Sequence, residues 1–224
     1  MSWMYHRHCI GLAAGSNDPP TDPTRKKFMT TPRNLNKPKK YGIWLILAVP
    51  ATFILGRYLN DSISYGQVIH ETGNWSVGLL ALALAVTPLR RVLPEARWPR
   101  WILAHRRALG VASFAYAAFH TLTYLQKKWG YGYILKEGAE PDLLTGWIAL
   151  VIFSMLAITS NDKSVRVLRK NWQRLHRTVY IAAGLVFAHW ILTAFERQTA
   201  YMCLAALCVV ESLRFFRNDR SAKP

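Results

Sequence analysis

The sequence predicts an all-α protein, an integral membrane bundle of six transmembrane helices. Hydrophobic residues make up 51% of the 224 residues and charged residues only 18%. The hydrophobic residues are gathered in six blocks of about 18 residues, which is close to the length that crosses a bilayer as a helix. The basic residues lie between these blocks. Together, these observations favour a membrane protein over a soluble one.

Each block is expected to be helical, because a helix satisfies its own backbone hydrogen bonds inside lipid. Pro50 falls in the first block, and we expect it to kink that helix. The connecting loops are short, so the helices should pack as one bundle. The six predicted spans are 41–59, 73–89, 108–126, 143–160, 178–195 and 199–216.

The basic residues that give the formal net charge of +17 lie mainly between the predicted spans and at the ends of the chain. On a soluble protein such a charge would suggest nucleic-acid binding. Here 23 Lys and Arg lie at one end of the predicted spans, and the other end has only Arg57, Lys127, Lys128, Lys136 and Arg197. This asymmetry is the positive-inside pattern. We therefore expect both termini to be cytoplasmic, with anionic membrane lipids rather than nucleic acid as the partner of this charge.

The chain divides into three parts. Residues 1–40 form a polar and basic segment that we expect to be cytoplasmic and disordered. Residues 41–217 form the transmembrane domain, and residues 218–224 form a cytoplasmic tail. The sequence contains no CxxC motif and no glycine-rich phosphate loop. Zinc-finger and nucleotide-hydrolysing classes are therefore excluded.

Five histidines lie in or beside the predicted spans: His70, His105, His120, His176 and His189. Ionisable side chains in a membrane are costly and usually have a function. The third and fifth spans run in the same direction. Each therefore carries one histidine at its inner mouth, His105 or His176, and one toward the outer side, His120 or His189.

Two imidazoles at one depth on two helices are suited to bind a heme iron from both sides. The inner and outer levels are separated by about 20 Å along the helix axis, which leaves room for two stacked hemes. However, 13 residues rotate a straight helix by about 140° from the starting face. His176 and His189 can then bind hemes on the same side only if the helix is curved or the side chains reach around it. Otherwise His176 has another role. His105 lies beside Arg106 and Arg107, so an interfacial role or contact with heme propionates is the alternative there.

Several motifs in these spans resemble the MsrQ (YedZ) family. This family is the heme-binding membrane subunit of the periplasmic protein-methionine-sulfoxide reductase system and lies in the ferric-reductase-like transmembrane superfamily. The similar stretches are HETG at 70–73, VTPLR at 86–90, RRALG at 106–110, WQRLHR at 172–177 and HW at 189–190. The chain departs from the family's pattern at His105 and in the outer loop at 138–142.

The resemblance implies a function and its site. His120, His176 and His189 align with the family's heme-ligand histidines, whereas His105 and His70 are only additional heme-related candidates. The implied cofactors are heme b, as one or two groups, and FMN, whose site the sequence does not locate. The implied electron donor is a cytoplasmic flavin reductase or quinol. The implied acceptor is a periplasmic molybdopterin methionine sulfoxide reductase subunit, and the implied location is the bacterial inner membrane.

Two other functions remain open at this point. One is a stand-alone transmembrane cytochrome b that reduces ferric iron. The other is a heme-free transporter whose histidines bind a metal ion or relay protons, and it predicts a colourless protein. In the leading interpretation the chain is an electron-transfer subunit rather than the catalytic subunit of an oxidoreductase system.

Overall fold

The computed structural model describes residues 37–128, 138–194 and 196–216, without the side chains of residues 37–41 and 214–216. The described helices from Pro38 onward belong to one compact unit. The predictions for residues 1–36, for the tail from residue 217 and for Lys136 lie outside the described residues.

All regular secondary structure in the described ranges is helical. We number the helices in chain order. They are α1 (Lys37–Leu59), α2 (Tyr65–Val92), α3 (Arg97–Ala104), α4 (Arg106–Lys128), α5 (Pro141–Ile158), α6 (Asp162–Leu168), α7 (Lys170–Arg177), α8 (Val179–Thr193) and α9 (Arg197–Phe216).

The six predicted spans correspond to α1, α2, α4, α5, α8 and α9, which confirms the fold class. By length and composition, α1, α2, α4, α5 and the continuous stretch Lys170–Thr193 can each cross a membrane. The sixth helix, α9, has 20 residues. Its stretch 200–210 carries no charged residue. The three short helices α3, α6 and α7 were not predicted, and they lie at the basic end of the bundle.

Helix α2 begins eight residues before the predicted start because a capping box fixes its first turn. The Ser64 hydroxyl accepts from the Gln67 backbone N–H at 3.3 Å, and the Gln67 side-chain oxygen accepts from the Ser64 N–H at 2.9 Å. These two bonds satisfy N–H groups that a helix start leaves unpaired. The first turns are polar, so hydrophobicity alone places the start too late. Helix α1 continues through Pro50 to Leu59.

The bundle is organised around two extensive helix pairs, α2 with α4 and α5 with α8. One buried cluster joins α2, α5 and α8 through Leu84, Phe153 and Ala182. A second joins α2 and α4, with Leu79 and Tyr116 among its members. Helix α2 takes part in both clusters and is therefore the central element of the bundle. In contrast, α1 presents Leu45, Ile46, Val49 and Phe53 outward, as expected for side chains that face lipid.

Two buried serines connect α2 to α4 by reciprocal hydrogen bonds. The Ser76 hydroxyl donates to the Ser113 carbonyl at 3.0 Å, and the Ser113 hydroxyl donates to the Ser76 carbonyl at 2.8 Å. One turn further along, the Tyr116 hydroxyl donates to the Leu47 carbonyl of α1 at 2.9 Å. Small residues with hydroxyls let helices approach closely and join them where no water competes.

We predict that Ser76→Ala lowers the free energy of unfolding by about 1 kcal/mol, because it removes one interhelical hydrogen bond in the membrane. Unfolding in mixed detergent measures this change. The matched control is Ser154→Ala, since the Ser154 hydroxyl bonds only within its own helix, to the Leu150 carbonyl. Equal losses in the two variants would contradict an interhelical role for the serine pair.

Candidate metal centre

His120 of α4 and His189 of α8 face each other between the two helix pairs. Their ring centroids are 6.3 Å apart, and the ring planes are nearly perpendicular at 87°. Both side chains are partly buried. The structure thus brings together the two histidines that the sequence placed at the outer level.

Each of these imidazoles is held by a backbone carbonyl of a neighbouring helix. His120 Nδ1 lies 2.9 Å from the Ile69 carbonyl oxygen of α2. His189 Nδ1 lies 2.7 Å from the Asp142 carbonyl oxygen of α5. Because a carbonyl only accepts, Nδ1–H must donate in both bonds. Each neutral ring then keeps the lone pair on Nε2, the arrangement of metal-binding histidines in proteins.

A glycine gives each ring room against the neighbouring helix. A Cβ atom on Gly146 would lie 2.9 Å from His189 Nδ1, and one on Gly73 would lie 3.4 Å from His120 Nδ1. The first distance is too short for any side chain. Glycine is therefore required at 146 so that the backbone of α5 can approach the ring.

The two helix pairs repeat one arrangement. In α2 the carbonyl that accepts from histidine belongs to Ile69, four residues before Gly73. In α5 it belongs to Asp142, four residues before Gly146. In both pairs the ring comes from the helix that runs back in the opposite direction. The pair His120 and His189 is thus built from two equivalent halves.

His176 lies in α7 and makes different contacts. Its ring stacks on Trp172 with centroids 4.0 Å apart, and its Nε2 lies 3.3 Å from the Thr159 hydroxyl oxygen. The Trp172 indole N–H also donates to the Thr159 carbonyl at 3.0 Å. Thr178 joins α7 to α8 with helical backbone angles (φ −63°, ψ −10°), so His176 and His189 lie on consecutive segments of one helical stretch.

His105 and His70 are placed away from the facing pair. His105 ends α3, its Nδ1 lies 2.8 Å from the carbonyl of Trp101 in the same helix, and its ring contacts that indole. His70 is exposed on α2. Among the ring contacts that the structure describes, His120 meets His189, whereas His105 and His176 each meet a tryptophan four residues earlier.

The groups that hold the rings were not predicted from the sequence. These are the two backbone carbonyls, the glycine at 146 and the Thr159 hydroxyl. A glycine inside an apolar helix indicates close backbone approach, so Gly146 could have been found. Carbonyl partners depend on how helices pack, and no residue type marks them. Within the described residues, no three His, Cys, Asp or Glu side chains come together as a metal cluster.

Comparison with known proteins relates this chain to a family. Residues 72–187 match the family described as "Ferric reductase like transmembrane component", a range that includes His120 and His176. Three relatives are named protein-methionine-sulfoxide reductase heme-binding subunit MsrQ. The one from Azospira oryzae is 34% identical over 171 residues, which cover 73% of this chain and 71% of the relative. The one from Rhizobium meliloti is 31% identical over 189 residues, covering 80% and 84%. The one from Brucella ovis is 34% identical over 208 residues, covering 88% of each.

Proposed function

The chain belongs to the MsrQ family of ferric reductase-like transmembrane components, and we propose that it is a multi-pass membrane subunit that binds heme b and passes electrons to a protein-methionine-sulfoxide reductase. The observation that supports this proposal best is the facing pair His120 and His189. The heme and the reductase enter this proposal because the relatives are named heme-binding subunits of a protein-methionine-sulfoxide reductase.

The facing pair fits a heme iron bound from both sides. Two metal–imidazole bonds of about 2 Å each, extended to the ring centres, add up to about the observed separation of 6.3 Å. Both Nε2 atoms keep a lone pair, because both Nδ1–H groups donate to carbonyls. An iron bound in a macrocycle needs two further ligands, and this pair of imidazoles can supply them.

When bound, a heme with two imidazole ligands accepts and releases one electron at a time. The residues of this chain control its position. The carbonyls of Ile69 and Asp142 fix the tautomer and orientation of each ring and raise its basicity as a ligand. If His120 and His189 both held the iron, they would leave no position open for small molecules, which favours electron transfer.

The orientation in the membrane is inferred from charge. We propose that the basic end, where α2 ends and α4 begins, is cytoplasmic and that the protein lies in the bacterial inner membrane. The donor would then be a cytoplasmic flavin reductase or quinol. The acceptor would be a periplasmic molybdopterin reductase subunit. In this orientation the outer histidine pair would lie toward the acceptor side.

The number of hemes and the presence of FMN stay predictions. A second heme would use His176, with His105 as the additional candidate, and we expect His176→Ala to lower heme content more than His105→Ala. A pyridine hemochrome assay gives the heme-to-protein ratio and so distinguishes one heme from two. Flavin fluorescence after acid extraction tests for FMN.

A second candidate function is direct reduction of ferric iron outside the cytoplasm. It is favoured by the description of the matching family over residues 72–187. It keeps the heme but needs no reductase partner. The two functions therefore differ only in the acceptor.

The test of function is electron transfer in purified components. The full chain in detergent is reduced with dithionite, excess reductant is removed without air, and a methionine sulfoxide reductase with its molybdenum cofactor is added together with methionine sulfoxide. With the reductase in a catalytic amount, we expect the reduced b-type absorption band to disappear only when methionine sulfoxide, which accepts two electrons per molecule, is also present. Rapid oxidation by a ferric chelate alone would favour the second candidate. A colourless protein would favour the heme-free transporter.

We predict that His120→Ala and His189→Ala each abolish or greatly reduce heme content, because each removes one of the two imidazoles that would hold the iron. Absorption spectra of the reduced proteins, normalised to protein, measure this change. The matched control is His70→Ala, since His70 is exposed on α2. A full low-spin spectrum in both ligand variants would disprove the assignment.

We predict that Gly146→Ala weakens heme retention by about tenfold, as is typical when the groups that position a metal ligand are changed. The new Cβ would displace the His189 ring. Gly73→Ala should have a smaller effect, because its Cβ would only reach van der Waals contact with His120. Heme transfer to apomyoglobin measures retention, and electron paramagnetic resonance reports ring orientation.

The control for the glycine variants is Gly184→Ala on α8, where a Cβ would meet no atom within 4 Å. It changes helix propensity in the same way without touching a ring. Identical spectra and retention in Gly146→Ala and Gly184→Ala would show that close approach of α5 does not position His189.

A further inference from the structure

A basic cavity lies at the end of α2, away from the histidine pair. Its volume is about 540 Å³, within the range of small-molecule sites in proteins. Three arginines, two apolar residues and one hydroxyl line it: Thr87, Arg90, Arg91, Pro94, Arg100 and Leu103.

The arginines come from two helices. Arg90 and Arg91 occupy the last turn of α2, and Arg100 comes from α3 after the chain has turned at Pro94. The Arg100 Nη2 donates to the Pro94 carbonyl at 2.7 Å, which holds the side chain across the turn. A guanidinium has five N–H donors, so Arg100 keeps others for a ligand. Guanidinium groups suit phosphate oxygens in both charge and geometry.

Thr87 differs from four other threonines in the long helices. The hydroxyls of Thr72, Thr121, Thr123 and Thr159 each donate to the carbonyl four residues earlier in the same helix. The Thr87 hydroxyl is buried and has no hydrogen-bond partner in the structure. A buried hydroxyl without a partner is unfavourable, and Thr87 is one of the residues that line the cavity.

Helix α3 places the cavity at the level of lipid headgroups. It is a short amphipathic helix in which Trp98 and Trp101 are 47% and 55% exposed. Arg97 and Arg100 lie in the same helix. Tryptophan and arginine together on a short helix are typical of the membrane–water interface. At that level, the anionic phospholipids of the bilayer are the nearest source of an acidic ligand.

We propose that this cavity binds the phosphate group of an anionic phospholipid, with Arg90 and Arg100 as its charged contacts. Basic side chains are favourable at the C-terminal end of a helix dipole, and this alone would explain why Arg90 and Arg91 end α2. It would not explain why Arg100 of α3 lies in the same half-open cavity or why the Thr87 hydroxyl has no partner. Basic pockets between membrane helices are known to bind anionic headgroups. The proposal does not depend on heme binding.

Native mass spectrometry of the full chain, released from nanodiscs containing equal phosphatidylglycerol and phosphatidylcholine, tests the proposal. We expect phosphatidylglycerol to be retained preferentially. We expect the double variant R90Q/R100Q to lose that retention by about tenfold, since hydrogen bonds to charged groups are removed. The charge-matched control is K163Q/R166Q on α6, where both side chains are exposed at the same end of the bundle. Gel filtration and thermal unfolding verify that each variant is folded.

Three results would overturn the proposal. Equal retention of the two lipids by the native chain would show that charge is not recognised. Equal loss in R90Q/R100Q and K163Q/R166Q would show a general effect of net charge. Displacement of the lipid by soluble glycerol phosphate at the same concentration would assign the cavity to a soluble phosphate ester.

Discussion

The hydrogen bond from each imidazole Nδ1–H to a carbonyl of a neighbouring helix is the constraint on which the rest of the structure depends. It requires α2 to touch His120 and α5 to touch His189, at 2.9 and 2.7 Å. Helices with large residues at the contact would be held too far apart. The glycines at 73 and 146 allow the approach. The Ser76–Ser113 pair and the leucine clusters around α2 maintain it.

The same constraint is met twice, and this explains why two imidazoles arrive at one depth. Helices α2 and α5 run in one direction, and α4 and α8 return in the other. Each pair has a carbonyl, a glycine four residues later and a histidine on the returning helix. Each returning helix also follows a short helix with tryptophan four residues before histidine, at Trp101 and Trp172. Two similar halves that face each other place their histidines symmetrically.

Hydrophobic runs and histidine depth were enough to predict the six long helices and the meeting of His120 with His189. Those features depend on bilayer thickness and on chain direction, which are read from sequence. The short helices α3, α6 and α7 are too polar for that signal. The early start of α2 depends on a single serine–glutamine cap. The sequence already distinguished the two levels, because 13 residues do not return a straight helix to the same face and His105 lies beside two arginines. It did not reveal the stacking of His176 on Trp172 or its contact with Thr159.

The contacts at the two levels show that they are not alike. The Thr159 hydroxyl oxygen lies 2.7 Å from the Met155 carbonyl oxygen, 3.3 Å from the Leu156 carbonyl oxygen and 3.3 Å from His176 Nε2. A hydroxyl both donates and accepts, so this contact does not fix which nitrogen of His176 carries the proton. Carbonyls only accept, so the contacts of His120 and His189 do fix it and leave the lone pair on Nε2 of each ring. A metal at His176 Nε2 would also have to displace the Thr159 hydroxyl, whereas none of the hydrogen bonds described for the outer pair uses Nε2. Of the two levels, the outer pair is therefore the better prepared to hold a metal.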